Sequence, residues 1–545
     1  MNVPPSDSPE QPLASADPTV HSEPESTGGE APHPGSREMP RWDMGTLAEP
    51  PKFGLKQLPL LLGPGLVMGA AAIGGGEWLT GPINTARYGG AVLWLATLSI
   101  LGQTLYNIEI SRYTLYTGEP IFTGKFRTLP GPRFWLPIYL MLDIGVFFPY
   151  LAAAAAVPLF TVIYGQLPDE ANPQHNFLLN VFAVSIFLGA LVPLLFGGKV
   201  YNSLKVVMSF KLITVLGFLV FLAIFYSNAE TWAEIISGFF KFGTVPVVDA
   251  SNPAALDNIF VSLFSGNGFP NIDMTAVGIL AAMAAIAGNG GLTNTPISNY
   301  TRDQGWGMGS EVGAIPSIIG GQTIHLSHVG KVFQITKDSL RRWKGWVRHI
   351  SRDQLVVWMP ACFIGLALPS MLSVQFLERG LVLENKDQAA VMTAGGVQDA
   401  VGGSLGNFCF YMTIFCGFLV LGTSVIATAD GVLRRWVDVF WTASRRLRQV
   451  DPQHISKVYF GVLCVYAAAG IVLLLSARPT TLLVISTNIY NYALGISCWH
   501  TIAVNSVLLP GELKPSIGRR VLLGAAGTFF LMIAVLSTIA FFQQN

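Results

Sequence analysis

The chain has 545 residues, a formal net charge of +1 and only 12% charged residues. Hydrophobic residues make up 51% of the chain and the mean hydropathy is +0.49, values that exclude an ordinary soluble domain. Because the net charge is close to zero, we expect no nucleic-acid partner. The composition predicts an all-α polytopic protein whose surroundings are the lipid bilayer.

The segment 1–55 differs from the rest of the chain. Pro, Ser, Glu and Gly dominate it, and Trp42 is the one aromatic residue between positions 2 and 51. Such a segment buries too little apolar surface to fold by itself. We therefore predict a disordered cytoplasmic tail followed by a transmembrane domain over 56–545. The tail lacks the charged and then apolar pattern of a signal peptide.

Apolar runs of membrane length follow the tail. About twenty apolar residues cross the hydrocarbon core as a helix, and about eleven such runs are present. We predict spans near 57–86, 90–111, 134–164, 176–197, 204–227, 274–300, 353–376, 407–432, 458–477, 480–509 and 521–542.

The basic residues predict an orientation for these spans. If the N-terminus is cytoplasmic, all but five of the 33 Lys and Arg residues fall in the tail and the inner loops, as the positive-inside rule requires. We expect an integral protein of the plasma (inner) membrane, with 228–272 as the main outer loop and the C-terminus outside. The five exceptions are Arg87, Lys241, Arg379, Lys386 and Arg478.

Two interrupted spans indicate an internal repeat. Residues 71–80 (AAIGGGEWLT) and 284–293 (AAIAGNGGLT) spell nearly the same segment. A glycine cluster inside a span frees backbone groups that lipid cannot satisfy, so it must line a cavity. Paired breaks of this kind mark the substrate site of many transporters. We predict inverted five-helix repeats over 56–227 and 274–509, with broken helices 1 and 6, and an extra helix at 521–542.

The breaks supply the predicted substrate site. Glu77 stands at the first break, and a carboxylate inside the membrane is rarely retained without a partner or a function, so Glu77 is the candidate metal ligand. Carboxylate, amide and carbonyl oxygens suit a hard cation, whereas the half-helix N-termini suit the carboxylate of an organic substrate equally well. The predicted substrate-binding residues are Gly74, Gly75, Gly76, Glu77, Asn289, Gly290, Thr293 and Asn294.

Four further polar residues inside spans are candidates for a proton or ion relay. Asp143 either relays protons or pairs with a neighbouring helix. His500 is either a hydrogen-bonded core histidine or a proton shuttle. Ser424 and Thr428 share one helix face, where their hydroxyls either bond their own backbone or form a sodium site.

Motifs for an energy-consuming enzyme are absent from the sequence. It contains no GxxxxGK[ST], HExxH or GxSxG pattern, so nothing predicts nucleotide hydrolysis or another hydrolytic activity. We expect no enzymatic activity and no cofactor. A proton or sodium gradient would drive transport, or transport would be passive.

The motifs around the breaks resemble those of the Nramp divalent-metal transporter family. Gly63-Pro64-Gly65-Leu66 followed by GGGEWLT resembles the family's GPGLL and DPGNWAT segments, and the LGTSVIATADG run at 421–431 resembles its eighth helix. The resemblance covers nearly all of the chain after the tail. It implies the family's inverted-repeat fold, alternating access and transport of divalent metal ions.

The departures from the family pattern lie in the metal site. The family's metal-binding Asp, its Pro and its metal-binding Asn correspond here to Gly74, Gly75 and Glu77, and its sixth-helix Met-Pro-His signature is missing. Loss of the thioether shifts the expected metal towards magnesium or manganese. The first hypothesis is therefore a divalent-cation transporter. The alternatives are a carrier of a small organic solute or amino acid on the same fold, and a membrane receptor or scaffold that has lost transport.

Overall fold

The computed structural model describes residues 30–52, 63–169, 171–195, 200–315, 326–383, 386–476 and 479–544. Within these ranges eight helices are long and apolar enough to cross a membrane, or nine if the bent pair Pro64–Val92 and Trp94–Thr117 forms one span. The prediction of an all-α polytopic membrane protein is confirmed, whereas the count of eleven spans is not. The first residues of the predicted first span, residues 1–29 of the tail and residue 545 lie outside the described ranges.

The first half of the chain contains one broken helix. Its first part begins with proline in the first turn and ends before the glycine cluster, and a π-helical turn, Gly76–Thr80, then leads into the second part. Short 3-10 turns lie at Gly89–Val92, Ile144–Phe147 and Val192–Leu195. The helices are α1 (Pro64–Ala72), α2 (Gly81–Tyr88), α3 (Trp94–Thr117), α4 (Ile121–Arg127), α5 (Pro132–Asp143), α6 (Tyr150–Tyr164), α7 (Pro173–Leu191) and α8 (Val200–Tyr226).

The predicted main outer loop has its own secondary structure. It carries the helices α9 (Ala229–Gly238) and α10 (Ile259–Phe264). Asn228 and Asn258 cap their first turns by accepting backbone N–H groups, which a helix start otherwise leaves unpaired. The chain has four short described strands, of which β1 pairs in parallel with β4 and β2 pairs antiparallel with β3. They are β1 (Asp43–Gly45), β2 (Thr244–Pro246), β3 (Leu256–Asn258) and β4 (Lys331–Phe333).

The second half contains the other broken helix. Gly288, Gly290 and Gly291 have φ angles of 101°, 63° and 55°, a region that other residues rarely adopt, so the glycines end one helix and allow the turn. The helices are α11 (Met274–Ile286), α12 (Pro296–Asp303), α13 (Gly309–Val312), α14 (Lys337–Arg352), α15 (Met359–Phe376), α16 (Met392–Val401), α17 (Gly403–Ala443), α18 (Ile455–Leu474), α19 (Pro479–Val507) and α20 (Ile517–Gln544).

Short irregular turns connect these helices. A π-helical turn, Asp353–Trp358, joins α14 to α15. The 3-10 turns are Gly291–Asn294, Lys386–Ala390, Leu447–Gln449, Pro452–His454 and Gly511–Leu513.

The two breaks pack against each other in the middle of the helix bundle. The π-helical turn of the first break contacts α11, and the 3-10 turn of the second break contacts α19 and α17. Helix α8 contacts both α1 and α17. A Cβ atom at Gly76 would collide with the carbonyl group of Ile286, so glycine is what allows the first break to approach α11.

The tail is not disordered throughout. Residues 30–52 are described, and β1 pairs with β4. Trp42 is buried, and its Nε1 donates a hydrogen bond to Glu119 Oε2 at 3.1 Å. The expectation of disorder therefore fails for these residues. Their composition cannot support a separate core, but they add to a surface that the rest of the chain provides.

Several basic residues assigned to inner loops lie inside helices instead. Helix α17 continues to Ala443, beyond the predicted end of span eight at 432, and buries Arg434 and Arg435. Arg434 Nε donates to Asp430 Oδ2 at 2.6 Å and pairs with Asp303. These charges are buried because carboxylates neutralise them. Lys211, which the charge rule assigns to the inner side, is buried in α8.

Candidate functional site

The Glu77 carboxylate links the two breaks. Glu77 is fully buried, and its Oε2 accepts a hydrogen bond from Gly74 N at 3.0 Å. Its Oε1 accepts one from Gly288 N at 3.1 Å. Backbone N–H groups that the breaks release are thereby satisfied by a side chain of the protein itself. The predicted metal ligand thus accepts hydrogen bonds from backbone groups of both breaks.

Gln103 of α3 organises the second break. Its Oε1 accepts hydrogen bonds from Asn289 N at 3.1 Å, Gly290 N at 3.2 Å and Asn294 Nδ2 at 2.7 Å. Its Nε2 donates to Ala287 O at 2.8 Å. One amide therefore satisfies both N–H and C=O groups of the break. The buried Oδ1 of Asn294 has no hydrogen-bond partner.

A cavity of about 50 Å³ lies between the two breaks. This volume holds only about three or four water molecules. Its wall combines glycine backbone, hydroxyl and amide groups with two tyrosine rings, and Glu77 is not among the lining residues. The lining residues are Met68, Ala71, Ala72, Gly74, Gly75, Gly76, Tyr150, Leu151, Ile286, Gly288, Asn289, Thr293, Ser424, Ala427, Thr428 and Tyr490.

A buried lysine reaches the edge of this cavity. Lys211 Nζ donates a hydrogen bond to Ser424 Oγ at 2.9 Å. Ser424 Oγ also donates to Val420 O at 2.7 Å, while Thr428 Oγ1 donates to Ser424 O at 3.0 Å. The two predicted relay hydroxyls are therefore bonded to their own helix, and one of them also to a cation.

Asp143 forms a buried ion pair with Arg435. Arg435 Nη2 donates to Asp143 Oδ1 at 2.8 Å, and Trp436 Nε1 donates to Asp143 Oδ2 at 2.8 Å. Arg435 Nη1 also donates to Leu292 O at 3.0 Å, inside the second break. Of the two roles considered for Asp143, the geometry shows pairing with a neighbouring helix. The pair ties α5 and α17 to the break.

His500 lies in a separate cluster of aromatic and hydroxyl groups. Its Nε2 is 2.8 Å from Thr128 Oγ1 and its Nδ1 is 2.7 Å from the Tyr139 hydroxyl. Its ring centroid lies 4.1 Å from that of the Trp135 indole, with the two ring planes tilted by 35°. His500 does not line the cavity between the breaks.

The structure brings most of the predicted substrate-binding residues together. Gly74, Gly75, Gly76, Asn289 and Thr293 line one cavity. Glu77, Gly290 and Asn294 do not line it, but Glu77 accepts from Gly288 N, and Gly290 N and Asn294 Nδ2 donate to Gln103. The sequence analysis missed Gln103, Lys211, Tyr150 and Tyr490. Gln103 and Lys211 could have been found because each is a costly polar residue inside a predicted span.

The described ranges contain no cluster of three or more His, Cys, Asp or Glu side chains arranged to hold a metal ion. The lining residues whose side chains carry oxygen atoms are Asn289, Thr293, Ser424, Thr428, Tyr150 and Tyr490, beside the glycine-rich backbone. They are neutral donors and acceptors, so they suit water, a hydroxyl or amide group, or a weakly held hard cation.

Comparison with known proteins shows a shared fold but no match in sequence. No family model matches the sequence, and no curated protein matches it. Among solved structures, the chain is similar to the manganese transporter of Eremococcus coleocola. A histidine-to-alanine mutant of that transporter gives a TM-score of 0.56 at 12% identity over 91% of this chain and 90% of that one. Its complex with an aromatic bis-isothiourea substituted compound gives 0.55 at 12% identity over 90% and 88%. The chain therefore has the fold of that transporter.

Proposed function

We propose that this protein is a secondary transporter that works by alternating access and carries a small organic solute. The fold supports transport, since it is shared with a manganese transporter. The paired breaks also support it, because free backbone groups inside a membrane are retained where they line a cavity.

One observation favours an organic solute over a metal ion. The Glu77 carboxylate accepts the Gly74 and Gly288 amides, and Lys211 Nζ donates to Ser424 Oγ at the edge of the cavity. Both carboxylate oxygens are thus engaged inside the protein, and a divalent ion in the cavity would face a nearby lysine. The tyrosine rings and neutral polar groups of the wall suit an uncharged or zwitterionic molecule of few atoms.

The 50 Å³ cavity must widen for such a cargo to enter. Alternating access provides this step, because one bundle of helices rocks against the other around the site. The two glycine breaks lie where that motion needs a flexible backbone.

A divalent cation is the second candidate. The fold of a manganese transporter favours it, and Asn289 and Thr293 supply hard oxygen atoms at the cavity. For a cation to bind, the Glu77 carboxylate would have to exchange its backbone donors for the metal.

A transport screen distinguishes the two candidates. Purified protein in proteoliposomes is tested for uptake of labelled amino acids, nucleobases and amines, and of Mn²⁺ and Mg²⁺. We expect accumulation of an organic solute. Ala427→Leu, whose larger side chain occupies cavity volume that the cargo needs, should lower uptake by about tenfold or more. Ala443→Leu, at a half-buried position near the end of the same helix, is the matched control. Uptake of Mn²⁺ alone would establish the second candidate, and uptake of neither would favour a receptor.

A further inference from the structure

Lys211 is a cation placed deep inside the helix bundle. It is buried at 1% exposure in α8, and α8 packs against both α1 and α17. A lysine inside a membrane protein is costly unless it has partners or a task. Its ammonium group donates to Ser424 Oγ at 2.9 Å, so it lies where the first break meets α17.

Oxygen atoms from two helices converge on this position. Ser424 Oγ is 3.5 Å from Ala71 O at the end of α1. The Cβ atom of any larger residue at Gly74 would lie only 3.2 Å from the same Oγ, so glycine leaves room for this approach. A hydroxyl and a freed carbonyl are hard oxygen groups of the kind that a small alkali or alkaline-earth cation selects.

We propose that the Lys211 ammonium is a built-in cation that takes the position between α1 and α17 which an exchangeable Na⁺ would otherwise fill. It carries the same single positive charge as Na⁺, and its covalent attachment gives it a high effective concentration at the site. A second cation a few ångströms away would be repelled strongly in this low-dielectric interior. Ser424 and Thr428 therefore hold no sodium ion in the wild type.

Two consequences follow. Addition of Na⁺ should not change the stability of the wild type, whatever its cargo. Transport should also run without a sodium gradient, a statement that rests on the proposed transport function. The lysine then acts as a positioning residue that holds the first break against α17 throughout the cycle.

The test measures sodium binding directly, so it does not depend on knowing the cargo. Thermal unfolding of the purified full chain is followed in NaCl and in choline chloride at equal ionic strength. The wild type should give the same midpoint in both salts. Lys211→Ala should unfold at a lower temperature in choline chloride and gain about 2–4 °C or more in NaCl, as a ligand that binds only the folded state stabilises it.

Further variants serve as controls. Lys205→Ala changes a half-buried lysine of the same helix and should show no sodium response. Ser424→Ala retains the built-in cation and should also show none. Lys211→Met replaces Lys211→Ala if the smaller residue prevents folding, and it should show the same gain in NaCl.

Two results would overturn the proposal. The first is sodium stabilisation of the wild type, which decides the question even if neither Lys211 variant folds. The second is a folded Lys211 variant that unfolds at the same temperature in both salts, since an emptied site should bind Na⁺. A screen that identifies no organic cargo leaves both measurements valid, so failure of the proposed function is distinguishable from failure of this inference.

Discussion

Glu77 shapes the candidate site because it satisfies backbone donors from both halves of the chain. Gly74 N and Gly288 N each donate to a different oxygen of its carboxylate, at 3.0 and 3.1 Å. A carboxylate accepts at both oxygens, whereas a glutamine amide accepts at one and donates at the other. Glu77 therefore has a structural task that glutamine cannot fully perform.

We predict that Glu77→Gln lowers the free energy of unfolding by about 1–3 kcal/mol, because one buried N–H group loses its acceptor. Thermal unfolding followed by intrinsic fluorescence measures this change. Glu378→Gln, at an exposed position, is the matched control and should stay within about 0.5 kcal/mol of the wild type. If Glu77→Gln unfolds like the wild type but loses Mn²⁺ uptake by about tenfold, Glu77 serves a metal cargo and the divalent-cation candidate prevails.

The sequence could reveal Glu77 but not the roles of Gln103 and Lys211. Glu77 directly follows three glycines, so its position at a break is visible locally. The partners of Gln103 lie at Ala287, Asn289 and Gly290, more than 180 residues along the chain. No local pattern encodes such a pairing, because the rotation of each helix about its axis is fixed by packing. A polar residue inside an apolar run is the signal that was available.

At the scale of elements, the N-terminal segment 30–52 forms a strap. It pairs with strand β4 and packs along helix α14. Arg342 Nη1 donates to Leu47 O at 2.9 Å, and Trp346 Nε1 donates to Ala48 O at 2.8 Å, so the strap runs along α14. Its central anchor is Trp42. The indole ring lies 6.0 Å from the ring of Tyr116 and 5.0 Å from the Arg127 guanidinium.

Glu119 connects the strap to the first half of the chain. It lies in the loop between α3 and α4, where Arg127 Nε donates to it at 2.7 Å. Burial by itself would raise the pKa of Glu119, but the Arg127 guanidinium and the hydrogen bonds from Trp42 and Tyr113 hold the pKa below its usual range. The carboxylate is therefore charged near neutral pH, and it accepts the Trp42 indole N–H in that form.

We predict that Trp42→Ala detaches the strap while the helix bundle stays folded. The substitution removes a buried aromatic side chain, a change that typically costs about 3–5 kcal/mol in a core, and here the loss falls on a short segment that can unfold locally. Limited trypsin digestion reports the detachment, since Arg37 and Arg41 are exposed in the strap. Cleavage should accelerate by about tenfold or more.

Trp232→Ala, in the outer loop, is the matched control for strap cleavage. An unchanged digestion rate in Trp42→Ala would mean that the strand pairing with Lys331–Phe333 holds the strap without its anchor.

The positions of the helices could be predicted more fully than the ordered tail. Predicted spans at 458–477 and 480–509 correspond to Ile455–Leu474 and Pro479–Val507, because hydropathy is a local property of about twenty residues. Order in the strap depends on strand β4, nearly 290 positions away, which composition cannot indicate. The end of α17 differs from the prediction because its last turns carry charged residues. In the sequence these charges resemble a loop, and their pairing with carboxylates is visible only in the structure.

At the scale of the whole molecule, two of the basic residues that do not fit the charge rule form ion pairs near the predicted outer loop. Arg87 pairs with Asp273 at 3.4 Å, and Arg379 pairs with Glu234 at 2.7 Å, so these two exceptions to the charge rule lie beside the 228–272 loop. The strap and the basic helix α14 lie together as well. The orientation of the two regions relative to the membrane stays a prediction.

We predict that the 228–272 loop and the C-terminal end of α20 lie outside the cell, and that α14 lies inside. Helix α20 has 28 residues and is about 42 Å long at 1.5 Å per residue, enough to cross a hydrocarbon core of about 30 Å, so its two ends face opposite sides.

Single cysteines at the exposed positions Ser251, Lys344 and Gln543 are introduced after the five native cysteines are replaced. An impermeant maleimide applied to intact cells should label the first and third positions, and should label Lys344→Cys only after permeabilisation. Permeabilised cells control for reactivity at all three positions. Labelling of Lys344→Cys and Gln543→Cys from the same side would contradict the orientation, and it would require an even number of crossings between them.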